Sequence, residues 1–151
     1  MTDLQLQHAV FDKLTIAPLL EAGKLQVRLA GICDSFAVKS LGQYLDQVTQ
    51  EMARLQLATV AIDVTKVALL NSSSLKQFIT FLRPMKLGES QNKVEFVVDD
   101  AIPWQRRCLA ALARMCPVAV SLRDINGGMA PPNPSRQLQY ASPTPVPTRR
   151  S

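Results

Sequence analysis

Strand-type and helix-type hydrophobic periods alternate along most of this chain, and that alternation restricts the fold more than any other feature. Leu25, Val27 and Leu29 interleave with Gln26, Arg28 and Ala30, the two-residue period of a half-buried strand. Val38, Leu41, Leu45, Val48, Met52 and Leu55 then recur at helical spacing. Residues 59–64, with Val60, Ile62 and Val64, read as a buried strand. Leu75, Phe78, Ile79 and Leu82 mark one face of a second helix, closed by Pro84 and Gly88. Residues 94–98 form another strand. Pro103 opens a third helix where its missing N–H costs nothing; that helix runs to about Met115, Pro117 ends it, and residues 118–122 are a last strand. Ahead of all this, residues 14–20 are apolar and Glu21-Ala22-Gly23-Lys24 is a tight turn, so the first two strands form a hairpin. The order is ββαβαβαβ. A strand–helix–strand unit demands a parallel, right-handed crossover. The predicted fold is therefore α/β, a mixed sheet of about five strands with helices packed on it.

Composition sets the outer limits. A chain of 151 residues, 47% hydrophobic and 19% charged, fits one globular domain. No apolar run approaches the roughly 18 residues of a membrane span. Residues 1–13 carry no basic stretch followed by an apolar one, so the expected location is the cytoplasm, with no membrane partner. Cys33, Cys108 and Cys116 are odd in number and lack CxxC spacing, which argues against a disulfide framework and a zinc site. The domain is expected over residues 1–125. Residues 126–151 hold six of the ten prolines among Gly, Ser, Thr, Gln and Asn, and are expected to be a disordered tail; Pro131-Pro132-Asn133-Pro134 meets PxxP spacing within it. Net charge is +5, but residues 125–151 hold Arg136, Arg149 and Arg150 and no acid, which leaves +2 on the body and points away from a nucleic-acid partner.

The most informative stretch is Asp63-Val64-Thr65-Lys66-Val67-Ala68-Leu69-Leu70-Asn71-Ser72-Ser73-Ser74-Leu75. It reads as a buried strand, a short apolar connection, then small polar residues opening a helix. Asn71 suits the N-cap, and Ser72, Ser73 and Ser74 fill the first turn. Free N–H groups and the positive end of the helix dipole meet there, which favours an anion.

This pattern resembles the STAS domain of anti-sigma-factor antagonists. Those carry a strand ending in Asp-Leu-Ser, about five residues of link, and Asp-Ser-Ser-Gly-Leu at a helix start. Asp63-Val64-Thr65 matches the first part and Asn71-Ser72-Ser73-Ser74-Leu75 the second, while Gly31-Ile32-Cys33-Asp34 matches the family's Gly-x-hydrophobic-Asp before the first helix. The resemblance covers roughly residues 14–124. Two positions depart: Asn71 replaces the acidic residue and Ser74 the glycine. The Asn-Ser-Ser start, with Ile102-Pro103-Trp104-Gln105, looks like a stand-alone subgroup.

The resemblance implies a non-enzymatic interaction switch in a partner-switching pathway, without cofactor. Ser72 would be the phosphoacceptor, with Ser73 and Ser74 in reserve, and Asp34, Asn71, Ser72, Ser73, Ser74 and Lys76 would face the partner. The implied partners are a serine kinase of the histidine-kinase-like ATPase type and a PP2C-type phosphatase. Asn-Ser-Ser starts also occur in STAS-like proteins acting on a diguanylate cyclase, a further candidate partner. Read as residues alone, Ser72 fits a plain capping serine better than a phosphoacceptor, which leaves a constitutive scaffold or small-ligand module as the alternative. Asp34 is expected to cap the first helix, and Asp63 to end a strand near the second. The basic positions Lys76, Arg83, Lys86, Arg106, Arg107 and Arg114 fit solvated helix faces or an acidic partner, and Trp104 a packing anchor or a contact residue. A hydrolase triad would have to recruit the sole histidine, His8, from a loose N-terminus, and no HExxH or Walker pattern is present.

Overall fold

The computed structural model describes residues 4–126. The expected tail therefore lies almost wholly outside the described residues. The elements are β1 (Ala9–Phe11), β2 (Leu14–Glu21), β3 (Lys24–Cys33), α1 (Val38–Leu55), β4 (Thr59–Leu70), α2 (Ser72–Lys86), β5 (Lys93–Val98), α3 (Pro103–Met115) and β6 (Val120–Asp124). They form a six-stranded sheet in the order β1-β2-β3-β4-β5-β6. The first two pairings are antiparallel and the other three parallel. The sheet is thus mixed, as the element order requires, with one more strand than expected. The addition is β1, a three-residue strand too short to show a period.

Alternation along the strands divides the sheet into two faces. Leu25, Val60, Val94 and Val120 stand in register across four strands, as do Val27, Ile62, Phe96 and Leu122. These rows join the single core cluster. Three crossovers stepping one strand at a time in the same direction place the helices over this face. The Phe78 ring of α2 meets Phe96 edge-on at 5.6 Å. The opposite face carries Lys24, Arg28, Asp63, Glu95 and Arg123, tied by the ion pairs Lys24–Glu95, Arg28–Asp63 and Arg123–Glu95. The two pairs to Glu95 are partly exposed and worth little energy, whereas the Asp63 carboxylate is buried and held by Arg28 and the Thr65 hydroxyl.

The β2–β3 turn forms at Ala22 (φ 53°) and Gly23 (φ 74°), the left-handed pair a two-residue hairpin needs. At Gly31 the backbone turns to φ 104°, and a side chain there would run into the Lys13 carbonyl. That carbonyl accepts from the Ile32 N–H at 3.0 Å. Gly31 is therefore required where β3 bulges toward its end.

Four sequence expectations change. Asp34 does not cap α1: the helix starts after Ala37 with no side-chain cap, and the Asp34 carboxylate accepts from the Phe36 N–H at 3.0 Å in a local turn. Asp63 does not end a strand, because β4 continues to Leu70; its Oδ1 accepts from the Thr65 N–H (2.8 Å) and hydroxyl (2.6 Å). The expected apolar connection is the second half of that strand. The segment ahead of β1 is strapped to α1 rather than loose: Leu6 is buried, the Tyr44 hydroxyl donates to the Gln7 carbonyl at 2.8 Å, and the Gln5 N–H donates to Glu51.

Candidate functional site

The ends of β3 and β4 meet at the start of α2, and the Cys33 carbonyl joins them. It accepts from the Asn71 N–H at 3.0 Å and from the Ser74 hydroxyl at 3.1 Å. Asn71 is the N-cap as expected: its backbone is extended and its side-chain oxygen accepts from the Ser74 N–H at 2.8 Å. Ser74 is thus held by both its N–H and its hydroxyl and is 0% exposed. That removes Ser74 as a reserve acceptor, because no enzyme reaches its oxygen. It also gives a reason for a serine at the position where the similar motif has glycine: the hydroxyl pins α2 to β3.

Ser72 and Ser73 are on the outside. Both are exposed, and neither hydroxyl has a hydrogen-bond partner among the described residues. Ser72 is the first helical residue, where backbone N–H groups lack intrahelical acceptors. Lys76 follows four residues later, exposed and on the same side of the helix. A dianion on Ser72 would sit at the positive end of the dipole, close to an ammonium group. The Cys33 thiol is buried, and its pKa is pushed up to about 12 by that burial and then by the Asp34 charge.

Two flanks complete the surface. The Asp34 turn presents Phe36, which is 79% exposed although aromatic. Sequence reasoning missed it; the signal was an aromatic ring off the helical period, just before α1. On the other side, Leu69 is 50% exposed. It borders a groove of about 450 Å³ whose far wall is Trp104, Arg107 and Cys108 of α3. Trp104 both packs against the core and lines this groove.

Gln105 was also missed. It is fully buried; its side-chain oxygen accepts from the Asp99 N–H at 2.8 Å and its amide donates to the carbonyls of Thr65 (3.3 Å) and Val67 (3.4 Å). Its spacing to Leu109 and Leu112, on the buried stripe of α3, was the available clue. The other basic residues spread out. Arg106 pairs with Asp100, while Lys76, Arg83, Lys86, Arg107 and Arg114 have no ion pair among the described residues. No group of three or more His, Cys, Asp or Glu among the described residues could hold a metal. No helix there is long and apolar enough to cross a membrane.

No protein-family model matches the chain, and no curated protein matches it. Solved structures do. An anti-sigma factor antagonist from Mycobacterium paratuberculosis superposes with a TM-score of 0.55 at 21% identity, over 75% of this chain and 89% of that one. A chain of the Pseudomonas aeruginosa complex between the diguanylate cyclase SiaD and its activator SiaC gives 0.56 at 18% identity, over 78% and 98%. A protein of the DUF3478 family from Shewanella loihica, with a SpoIIAA-like fold, gives 0.50 at 12% identity, over 76% and 86%. The chain has the STAS-like fold of anti-sigma factor antagonists.

Proposed function

We propose that this protein is a non-enzymatic partner-switching module of the anti-sigma-factor-antagonist type, controlled by reversible phosphorylation of Ser72. The observation that carries the reading is the contrast within one helical turn. Ser74 is buried and bonded, whereas the Ser72 hydroxyl is exposed and without a partner among the described residues, at the N-terminus of a helix fixed by Asn71. In the transfer, Ser72 Oγ attacks the γ-phosphorus of ATP, ADP leaves, and the hydroxyl proton passes to a base on the kinase. The kinase is of the histidine-kinase-like ATPase type and the reverse step belongs to a PP2C-type phosphatase. The output is an anti-sigma-factor-like partner or a diguanylate cyclase; the likeness to a chain of the complex between the diguanylate cyclase SiaD and its activator SiaC supports the latter.

The switch needs no large movement. Phosphate adds about −1.5 to −2 charge at pH 7, tolerated at a helix start at a gain of roughly 0.3–1 kcal/mol. A partner seated on Phe36, Asn71, Ser72, Ser73 and Lys76 must strip water from that dianion. Several kcal/mol of desolvation is enough to release a micromolar complex, whose whole binding energy is about 8 kcal/mol.

The test is retention of the partner captured from the source cell. Ser72→Ala keeps it and Ser72→Asp loses it; equal retention overturns the proposal. Equal retention is also what the second reading expects, a constitutive STAS-like scaffold or small-ligand module, for which the Trp104 groove is the supporting observation.

A further inference from the structure

The groove beside the switch has an open strand edge as its floor. β5 pairs with β4 only as far as Asp63, while β3 accompanies β4 to Leu70. Past Asp63, the Gln105 amide replaces the missing strand by donating to the carbonyls of Thr65 and Val67. Beyond Val67 even that ends, and residues 68–70 have no strand neighbour on the α3 side among the described residues. The walls are apolar: Leu69, Leu70, Trp104 and Cys108. A single charge stands at the rim, the exposed Arg107, which has no acidic partner among the described residues. Asn71 and Ser72 follow in the next two positions of the chain.

We propose that this groove docks an extended segment of a partner protein carrying an apolar side chain close to an Asp or Glu. The segment adds to the free edge at residues 68–70, as peptides add to exposed sheet edges elsewhere. Its apolar side chain packs against Trp104 and Leu69, and its carboxylate meets Arg107, whose planar fork suits a carboxylate. Charge complementarity selects this occupant: among the described residues the rim offers one unpaired cation and no carboxylate. The inference rests on the partner-binding reading above and deepens it, because a phosphate on Ser72 would repel the same acidic segment.

The experiment selects a random heptapeptide phage library on the full-length protein, then titrates synthetic versions of the enriched peptides. Trp104, the chain's one tryptophan, reports binding by fluorescence, and alkylation of Cys108 reports occupancy of the groove. The expected peptides place an apolar residue within three positions of Asp or Glu, shift Trp104 emission and slow Cys108 alkylation. Arg107→Glu and Leu69→Asp each weaken binding by about tenfold or more, whereas Arg107→Lys, which keeps the charge but loses the planar fork, weakens it less than Arg107→Glu does. Both altered side chains are exposed, so melting temperature stays near wild type and the loss is one of binding. Failure to enrich any peptide, enrichment of peptides without acids, or equal binding to Arg107→Glu overturns the proposal. Enrichment of sequences matching this chain's own Pro131-Pro132-Asn133-Pro134 overturns it in favour of self-occupancy. The Ser72 reading fails separately, by absence of phosphate on Ser72 whatever the peptides do.

Discussion

Replacing Gln105 by leucine should destabilise the domain more than any exposed substitution, without touching the switch residues. The side chain is 0% exposed and joins three backbone groups: the Asp99 N–H just past β5, and the carbonyls of Thr65 and Val67 in β4. Leucine has nearly the same volume, so the cavity term is small and the polar term dominates. The Asp99 bond, at 2.8 Å, is a full one, and an orphaned buried N–H costs about 1–3 kcal/mol. The two bonds to carbonyls are long and share one nitrogen, and together add about 1 kcal/mol. A loss of about 2–4 kcal/mol follows, which for a domain of roughly 120 residues lowers Tm by about 8–16 °C. Thermal unfolding followed by circular dichroism measures it. Gln105→Glu keeps the acceptor for Asp99 but aims a carboxylate at two carbonyls, so its Tm should fall further and recover on acidification. A drop of less than about 2 °C for Gln105→Leu would refute the view that this amide substitutes for the missing strand.

Three further outcomes follow from local geometry. Asn71→Ala removes the cap on α2 and should lower stability by about 1 kcal/mol, whereas Asn71→Asp keeps the acceptor and should be close to neutral in denaturant titrations. Gly31→Ala meets both a left-handed φ and the Lys13 carbonyl, so it should cost over about 2 kcal/mol, with poor soluble yield as an equally telling result. The Arg54 guanidinium, helped by the Gln5 N–H and opposed by burial, lowers the Glu51 carboxyl from 4.5 to about 2. Its folded value lies below the unfolded one, so the stabilisation is present above pH 4.5 and lost as pH falls toward 2. The Gln5 amide resonance should therefore titrate with a midpoint near 2; a midpoint at 4.5 or above contradicts the strap.

Much of the fold was legible because each long element buries one face. The valines of β4 and β5 and the apolar stripes of α1 and α2 wrote their periods directly into the sequence. Asn71 was legible too, since its cap is a bond to its own helix. What escaped depended on distant partners. β4 read as ending at Val64 because β5 leaves it there and the exposed Lys66, Ala68 and Leu69 break the buried pattern. Asp34 carries the composition of a helix cap, yet a local turn to Phe36 claims its carboxylate. The roles of Ser72, Ser73 and Ser74 could not be divided from sequence, because only the approach of Cys33 from the end of β3 makes Ser74 internal and leaves Ser72 outside. Gln105 was invisible for the same reason: its acceptors lie about 40 residues earlier, with separations of 40 and 38.

The most direct measurement is site-resolved mass spectrometry of the intact protein taken from the cell that makes it, before and after treatment with a PP2C-type phosphatase. The account predicts one labile phosphate on Ser72, none on Ser74, and recovery of partner binding once that phosphate is removed. Phosphate on Ser74, or an unmodified Ser72 in a cell where the partner cycles on and off, would contradict it.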